Sequence, residues 1–404
     1  MSRLLTTGEI VERRRREEPP ALFRLAFRPF FLLGALFSII NLALWAGVFT
    51  GSLDLTVYGG PLWWHAHEML FGFVSAIIVG FLLTAVRTWT GQPGIQGTWL
   101  ACLVILWLSG RLVLFFPSAL PAWLTALTDL AFLPMAALVL ARPVVRVKQW
   151  RNIIFVPLLL AMTASNGVMH WSAHTGNMAL QTQASNAMVM FVTLLMTVMA
   201  GRVLPMFTAN GTGTEKVTAV GWLEKMALAT LLLAVITSFQ FPGIPAIATS
   251  LCFILAAFIH SVRAFRWRIW VTFRTPLVWS LHLSYWCIPL GLLLYGLSDI
   301  SSTVTRSQAI HTLTVGAMGM MILAMISRVS LGHTGRAIRV GKVMAGAFAF
   351  LFGAFLMRVF GAVWIDNYAH QIIATAALWS VGYGCFVVLY LPILTQPRVD
   401  GQPG

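Results

Sequence analysis

A chain of 404 residues that is 58% hydrophobic and 10% charged, with a mean hydropathy of +0.83, has too few charges to cover a water-facing surface; soluble domains carry about 25% charged residues. The formal charge of +15 would suit nucleic acid, but the Lys and Arg residues fall in short stretches between apolar runs. That is the pattern of an integral membrane protein in contact with lipid, and it argues against a nucleic-acid partner. The four cysteines (Cys102, Cys252, Cys287, Cys385) stand singly with no C-x-x-C and no C-x-x-C-H. Neither a disulfide framework nor a covalently attached haem is coded.

The predicted class is all-α, a polytopic membrane protein with twelve transmembrane helices. In chain order the apolar runs are 28–49, 62–87, 97–116, 120–140, 152–173, 183–204, 219–239, 244–263, 276–297, 307–328, 341–361 and 370–393, each near the roughly 20 residues a crossing needs. A basic N-terminal tail (1–24) precedes the helical domain (25–395), and a short C-terminal tail (396–404) follows it. "VERRRREEPP" is charged and ends in proline, with no small-residue cleavage site after the first apolar run, so an uncleaved first helix is expected.

Charge fixes the expected orientation. The N-terminal stretch holds Arg3, Arg13, Arg14, Arg15, Arg16, Arg24 and Arg28; "ARPVVRVKQWR" and "RAFRWRIWVTFR" hold four cations each, and Arg328 to Lys342 holds four more. The alternate loops are nearly bare, with Arg111, Arg306 and Arg358 the exceptions. Both termini are therefore expected to be cytoplasmic in a bacterial inner membrane. "GRVLPMFTANG" and "SRVSLGHTGRA" share Arg-Val and a Thr six residues after the Arg, and "VRTWTG" ends the second run. These ends lie four helices apart and suggest three four-helix units.

With that topology, His65, His67, His170, His174, His311 and His370 gather at the outer side, and His260, His282 and His333 at the inner. Ionisable groups within a membrane are costly and usually functional, and histidine is the commonest metal ligand. His65 and His67, two apart, point roughly 200° from each other on a helix, so one of them is free to serve a cofactor and the other a second site. Gly72 and Gly319 fall on the faces of His65 and His311 and would leave room for a flat macrocycle. Glu68 is placed to orient His65. Asn166, His170 and His174 step by four, and the two histidines are in chelating register for one metal. Arg111 would hold a haem propionate, with Asp129 as a competing partner. Trp63 and Trp64 read as interface-belt residues.

"FRPFF" (27–31), "WHAHEMLFGF" (64–73), "LHLSYWCIPLG" (281–291) and "HTLTVGAMGMMILAMISRVSLGHTGR" (311–336) together resemble the NnrS family. The resemblance implies a bacterial inner-membrane protein of the nitric oxide response that contains haem and copper. A looser analogy, from helix count and placement, is the catalytic subunit of haem–copper oxidases and nitric oxide reductases, which carries haem ligands on its second and tenth helices.

The expectation is a b-type haem in the outer half of the membrane, held by His65 or His67 and by His311, with nitric oxide or another small diatomic as ligand and a quinol or other electron donor as a candidate partner. Copper would sit on His170 and His174, joined by the spare histidine of the second helix. His260, His282 and His333 would form an inner site for a second haem. The residues leave open whether a reaction is catalysed; the rival readings are a metal-free secondary transporter and a quinol-linked enzyme that reduces nitric oxide.

Overall fold

A computed structural model describes residues 18–239 and 244–402. The basic run containing Arg3 and Arg13–Arg16, the junction 240–243 between the expected seventh and eighth helices, and residues 403–404 lie outside the described residues. Among the described residues there is no strand. Long helical rods follow one another as α1 (Phe27–Phe49), α2 (Pro61–Thr90), α3 (Gly97–Phe115), α4 (Ala122–Arg146), α5 (Phe155–Thr175) and α6 (Met178–Thr212). They continue as α7 (Gly221–Thr237), α8 (Ala246–Arg266), α9 (Pro276–Leu297), α10 (Arg306–His333), α11 (Lys342–Phe360) and α12 (Tyr368–Thr395).

Among the described residues, eleven of the helical segments are long and apolar enough to cross a membrane. The exception is α7, whose 17 residues span only about 26 Å at 1.5 Å per residue, less than the roughly 30 Å hydrocarbon core. Local chemistry sets the ends. Gly60 at φ 82° precedes Pro61 at the first position of α2, where a missing N–H costs nothing. Gly176 and Gly213 end α5 and α6 in the left-handed region that side chains with a Cβ disfavour. Thr305 and Gln308 form a capping box at the start of α10.

Three rods form the centre. In α2, α6 and α10, 83, 72 and 72% of the most apolar window is buried, against 39 to 44% in most of the others. Around them, exposed Ile105, Leu112, Leu138, Phe258 and Val388 present an apolar exterior to lipid. The "FRPFF" motif ties the chain ends together: Phe27, Phe30 and Phe31 are fully buried, and the Arg28 guanidinium donates to the carbonyls of Leu394 (2.9 Å) and Gln396 (2.7 Å) at the end of α12.

Two central rods change helical type. α2 becomes a π-helix over Glu68–Val74 and α10 over Thr312–Gly319. Each break begins beside a histidine singled out from the sequence: His67 precedes the first and His311 the second. Such wider turns are rare and concentrate at functional sites. They also shift every downstream side chain around the helix axis relative to an ideal α-helix.

Candidate metal and cofactor sites

The first site is a buried polar cluster joining α2, α3, α4 and α5. His67 Nε2 lies 2.8 Å from Asn166 Oδ1 and 3.1 Å from Asp129 Oδ2, and His67 Nδ1 lies 2.9 Å from Glu68 Oε1. Both ring nitrogens face oxygens that accept, an arrangement suited to two N–H donors. The Arg111 guanidinium donates to Glu68 Oε1 at 2.8 Å and forms a second ion pair with Asp129. Asn166 Nδ2 donates to Asp129 Oδ2 (2.7 Å), and His170 Nε2 sits 3.1 Å from the same oxygen. Two carboxylates thus offset Arg111 and the imidazoles among buried side chains; an isolated charge there would be prohibitive.

This cluster also has ligand chemistry. Donor atoms of His67, Asp129 and His170 all lie within 4.8 Å of one another, close enough that small side-chain shifts would close them on a metal with bonds of about 2 Å. Glu68 Oε2 and His170 Nδ1 are buried without a hydrogen-bond partner, as polar atoms at a ligand site often are. Trp63 lies flat on His67 (4.5 Å, 9°) and donates its indole N–H to the Met169 carbonyl at 2.9 Å. The Tyr58 ring packs edge-on against Trp63, and burial, followed by the Asp129 carboxylate, raises the phenol above its ordinary pKa.

The second site is a largely apolar cavity of about 200 Å³ between α1, α2, α6, α10, α11 and α12, lined by His65, His311 and Arg358. His311 Nδ1–H donates to the Ser307 carbonyl at 2.7 Å. That bond fixes the tautomer and leaves Nε2 with its lone pair, the pattern of a ligating histidine. His65 stacks on Trp45 (4.4 Å, 13°), and its Nδ1 is buried without a partner. Arg358 donates to Ser307 Oγ at 3.3 Å. Two imidazoles, one cation and apolar walls are the donor set a bis-histidine haem with a propionate requires. The void is tighter than the roughly 300–1,000 Å³ of common ligand pockets, and Trp45, stacked on His65, occupies part of its wall.

The structure separates residues that the sequence grouped. His65 and His311 share the cavity, while His67 joins His170 in the buried cluster. His174 is helical but exposed against Trp171, one turn beyond the packed neighbours of α5, so it does not join His170. Arg111 is held by Glu68 and Asp129, and it is Arg358 that reaches the cavity.

Neither glycine opens space for a macrocycle. A Cβ on Gly72 would meet the Arg111 guanidinium at 2.6 Å, and one on Gly319 would meet the Trp379 ring at 2.5 Å. Side chains from neighbouring helices, Arg111 of α3 and Trp379 of α12, already fill both places. Glu68 contacts His67 and not His65, and Trp63 and Trp64 are buried rather than belted at an interface.

The inner histidines stand apart. His260 is engaged by Tyr285 (2.7 Å) and the Ala227 carbonyl (3.1 Å), His282 by Thr208 (2.7 Å), and His333 packs against Phe27. They do not assemble a common site. His370 is exposed at the start of α12. Sequence reasoning missed Arg358 and Trp45 as cavity residues. The signal for Arg358 was its breach of the charge rule on the outer side.

A polytopic helical protein with two buried histidine sites at one end of its bundle is the class defined by this fold. Residues 21–398 match the family model described as NnrS protein, and the chain belongs to the NnrS family. A role in the response to nitric oxide fits that membership. A comparison with curated proteins finds no match to the chain.

Proposed function

We propose that this chain is a bacterial inner-membrane haem protein of the nitric oxide response, with both termini cytoplasmic and α7 completing twelve crossings in three four-helix units whose second helices are the central rods. The observation that carries the reading is that His65 and His311, from two central helices that both turn π-helical near those residues, line one apolar cavity with Arg358. His65 and His311 would hold a b-type haem, and Arg358 would take a propionate. When bound, the haem supplies an iron that can take a diatomic ligand and exchange single electrons.

The remaining work falls to the chain itself. The Ser307 carbonyl holds the His311 ring so that Nε2 faces the cavity. Met69, Val189 and Ile310 in the cavity wall exclude water, and nitric oxide, small and apolar, reaches the site through lipid. Copper would be held by His67, His170 and Asp129, with Glu68 orienting the His67 ring through Nδ1 and the Asn166 amide orienting the Asp129 carboxylate.

The test is an absorption spectrum of the detergent-purified protein, oxidised and dithionite-reduced, with iron and copper measured on the same sample and nitric oxide then added. A Soret band, sharp reduced α and β bands, iron at or above one per chain and a nitric oxide-induced shift support the reading. No Soret band and no bound metal, in protein made with ample haem, would overturn it.

A further inference from the structure

A second end of the molecule carries chemistry that the histidine sites do not use. Along α6, Asn186 lines the histidine cavity, while Arg202 lines a separate cleft of about 980 Å³. Sixteen residues of helix put the two regions about 24 Å apart. The cleft is walled by Arg151, Arg202, Lys216 and Arg263, with Glu224 as its one acidic side chain.

That carboxylate is already committed. Arg263 forms a bidentate ion pair with Glu224 and is further fixed by the Thr197 carbonyl (3.1 Å) and the Tyr285 hydroxyl (2.9 Å). Gly201 makes the arrangement possible, because a Cβ there would run into the guanidinium and the carboxylate. Arg202 is held by neutral groups only: it donates to Asn152 Oδ1 (2.8 Å) and to the Arg151 carbonyl (3.2 Å), and its guanidinium lies over the Phe155 ring at 5.3 Å. Among the described residues, none of Arg151, Arg202 and Lys216 has a carboxylate within ion-pair distance.

Three cations therefore share one cleft with no net counter-charge, and one of them is already oriented by side-chain and backbone acceptors. Their mutual repulsion is relieved by an anion that offers several acceptor oxygens. Guanidinium matches phosphate oxygens two at a time, and an ammonium serves as a point charge. Trp89, Val198 and Leu228 add an apolar wall, which suits a ligand lying at the edge of the hydrocarbon. Basic pockets between transmembrane helices on the cytoplasmic side are places where anionic headgroups bind.

We propose that the cleft walled by Arg151, Arg202 and Lys216 binds a phosphate group, presented by an anionic phospholipid headgroup or by free phosphate. This inference is independent of the haem reading, since it rests on other residues at the other end of the bundle.

The full-length protein, delipidated in detergent, is examined by native mass spectrometry and thermal unfolding with phosphatidylglycerol, with phosphatidylcholine of the same chains, and with inorganic phosphate. The variants are Arg202→Gln, the double variant Arg151→Gln/Lys216→Gln, and Arg274→Gln as a basic control outside the cleft. The expected result is preferential binding of phosphatidylglycerol over phosphatidylcholine, weakened about fivefold for each cation removed and unchanged in Arg274→Gln. Binding of phosphatidylglycerol alone identifies a headgroup site; protection by inorganic phosphate as well identifies a site for the free anion. Arg151 and Lys216 have exposed side chains, so the double variant folds even where Arg202→Gln does not. Equal binding of both lipids with no protection by phosphate, or unaltered affinity in the double variant, would overturn the proposal.

Discussion

His65 and His67 stand two residues apart on one helix and serve different sites. His65 lies flat on Trp45 and lines the cavity with His311, whereas His67 is bonded to Asp129, Asn166 and Glu68 in a cluster of charge. One turn of α2 therefore forms the wall between two sites. The backbone from His65 through Ala66 to His67 is the shortest covalent link between them, and it enters a π-turn at Glu68.

Loss of either cavity histidine should abolish or convert the haem spectrum, while loss of His67 should leave it. Replacing an axial ligand removes a bond to iron, so His311→Ala and His65→Ala are expected to lower the Soret absorbance per folded chain by about tenfold or more, the scale on which even supporting residues alter metal affinity. His67→Ala alters the neighbouring cluster and should retain the reduced α band. A haem spectrum unchanged in His311→Ala would remove that residue from the ligand set.

Much of the architecture was legible because long apolar runs are a direct readout of lipid as a solvent. All the expected apolar runs coincide with rods, of which α7, at 17 residues, is the shortest. The collection of His65, His67, His170 and His311 at one end was legible for the same reason. The pairing of those residues was not. It depends on π-turns, which no spacing rule announces, and on where neighbouring helices stop. His170 and His174 share a register, but only the former reaches packed neighbours. Gly72 and Gly319 read as room for a macrocycle, but the space is filled by Arg111 and Trp379, which are distant in sequence.

The Arg111–Asp129 pair should be worth little as a pair and much as protection against a buried lone charge. Asp129→Asn leaves the guanidinium with Glu68 alone, and a loss of about 3–5 kcal/mol is expected. Arg111→Met strands two carboxylates beside His67 and should cost a similar amount. The double variant Arg111→Met/Asp129→Asn should recover part of that loss, because no cation is left without its charge partner. Chemical denaturation in detergent micelles, run as a double-mutant cycle, checks this; strictly additive losses would show that the two side chains do not act together.

Gly319→Ala tests the close approach of α10 and α12. The added methyl would meet the Trp379 ring at 2.5 Å, and that ring is held by stacking on Tyr383 (4.7 Å) and by an indole N–H donated to Ser38 Oγ at 3.1 Å. The ring cannot retreat without breaking a buried hydrogen bond, so a destabilisation of about 1–3 kcal/mol is expected. Trp379→Phe in the Gly319→Ala background removes the larger ring and should restore part of the stability. Thermal unfolding of the four proteins measures it.

Copper distinguishes the buried cluster from the helical stripe on α5. If the His67–Asp129–His170 donors hold the metal, His170→Ala should lower the copper-to-protein ratio to background, and His174→Ala should leave it unaltered, since His174 lies exposed beside Trp171. Asn166→Ala is the informative third variant. It removes the amide that donates to Asp129 Oδ2 at 2.7 Å, but it takes away no proposed ligand. Its affinity should fall about 10- to 100-fold, as when a supporting partner is lost from a metal site, with full occupancy regained at higher free copper. Metal analysis after dialysis against buffered copper, with the haem band recorded on each sample as a folding control, separates the cases. Equal copper loss in His170→Ala and His174→Ala would return the chelate to the α5 stripe and remove His67 from it.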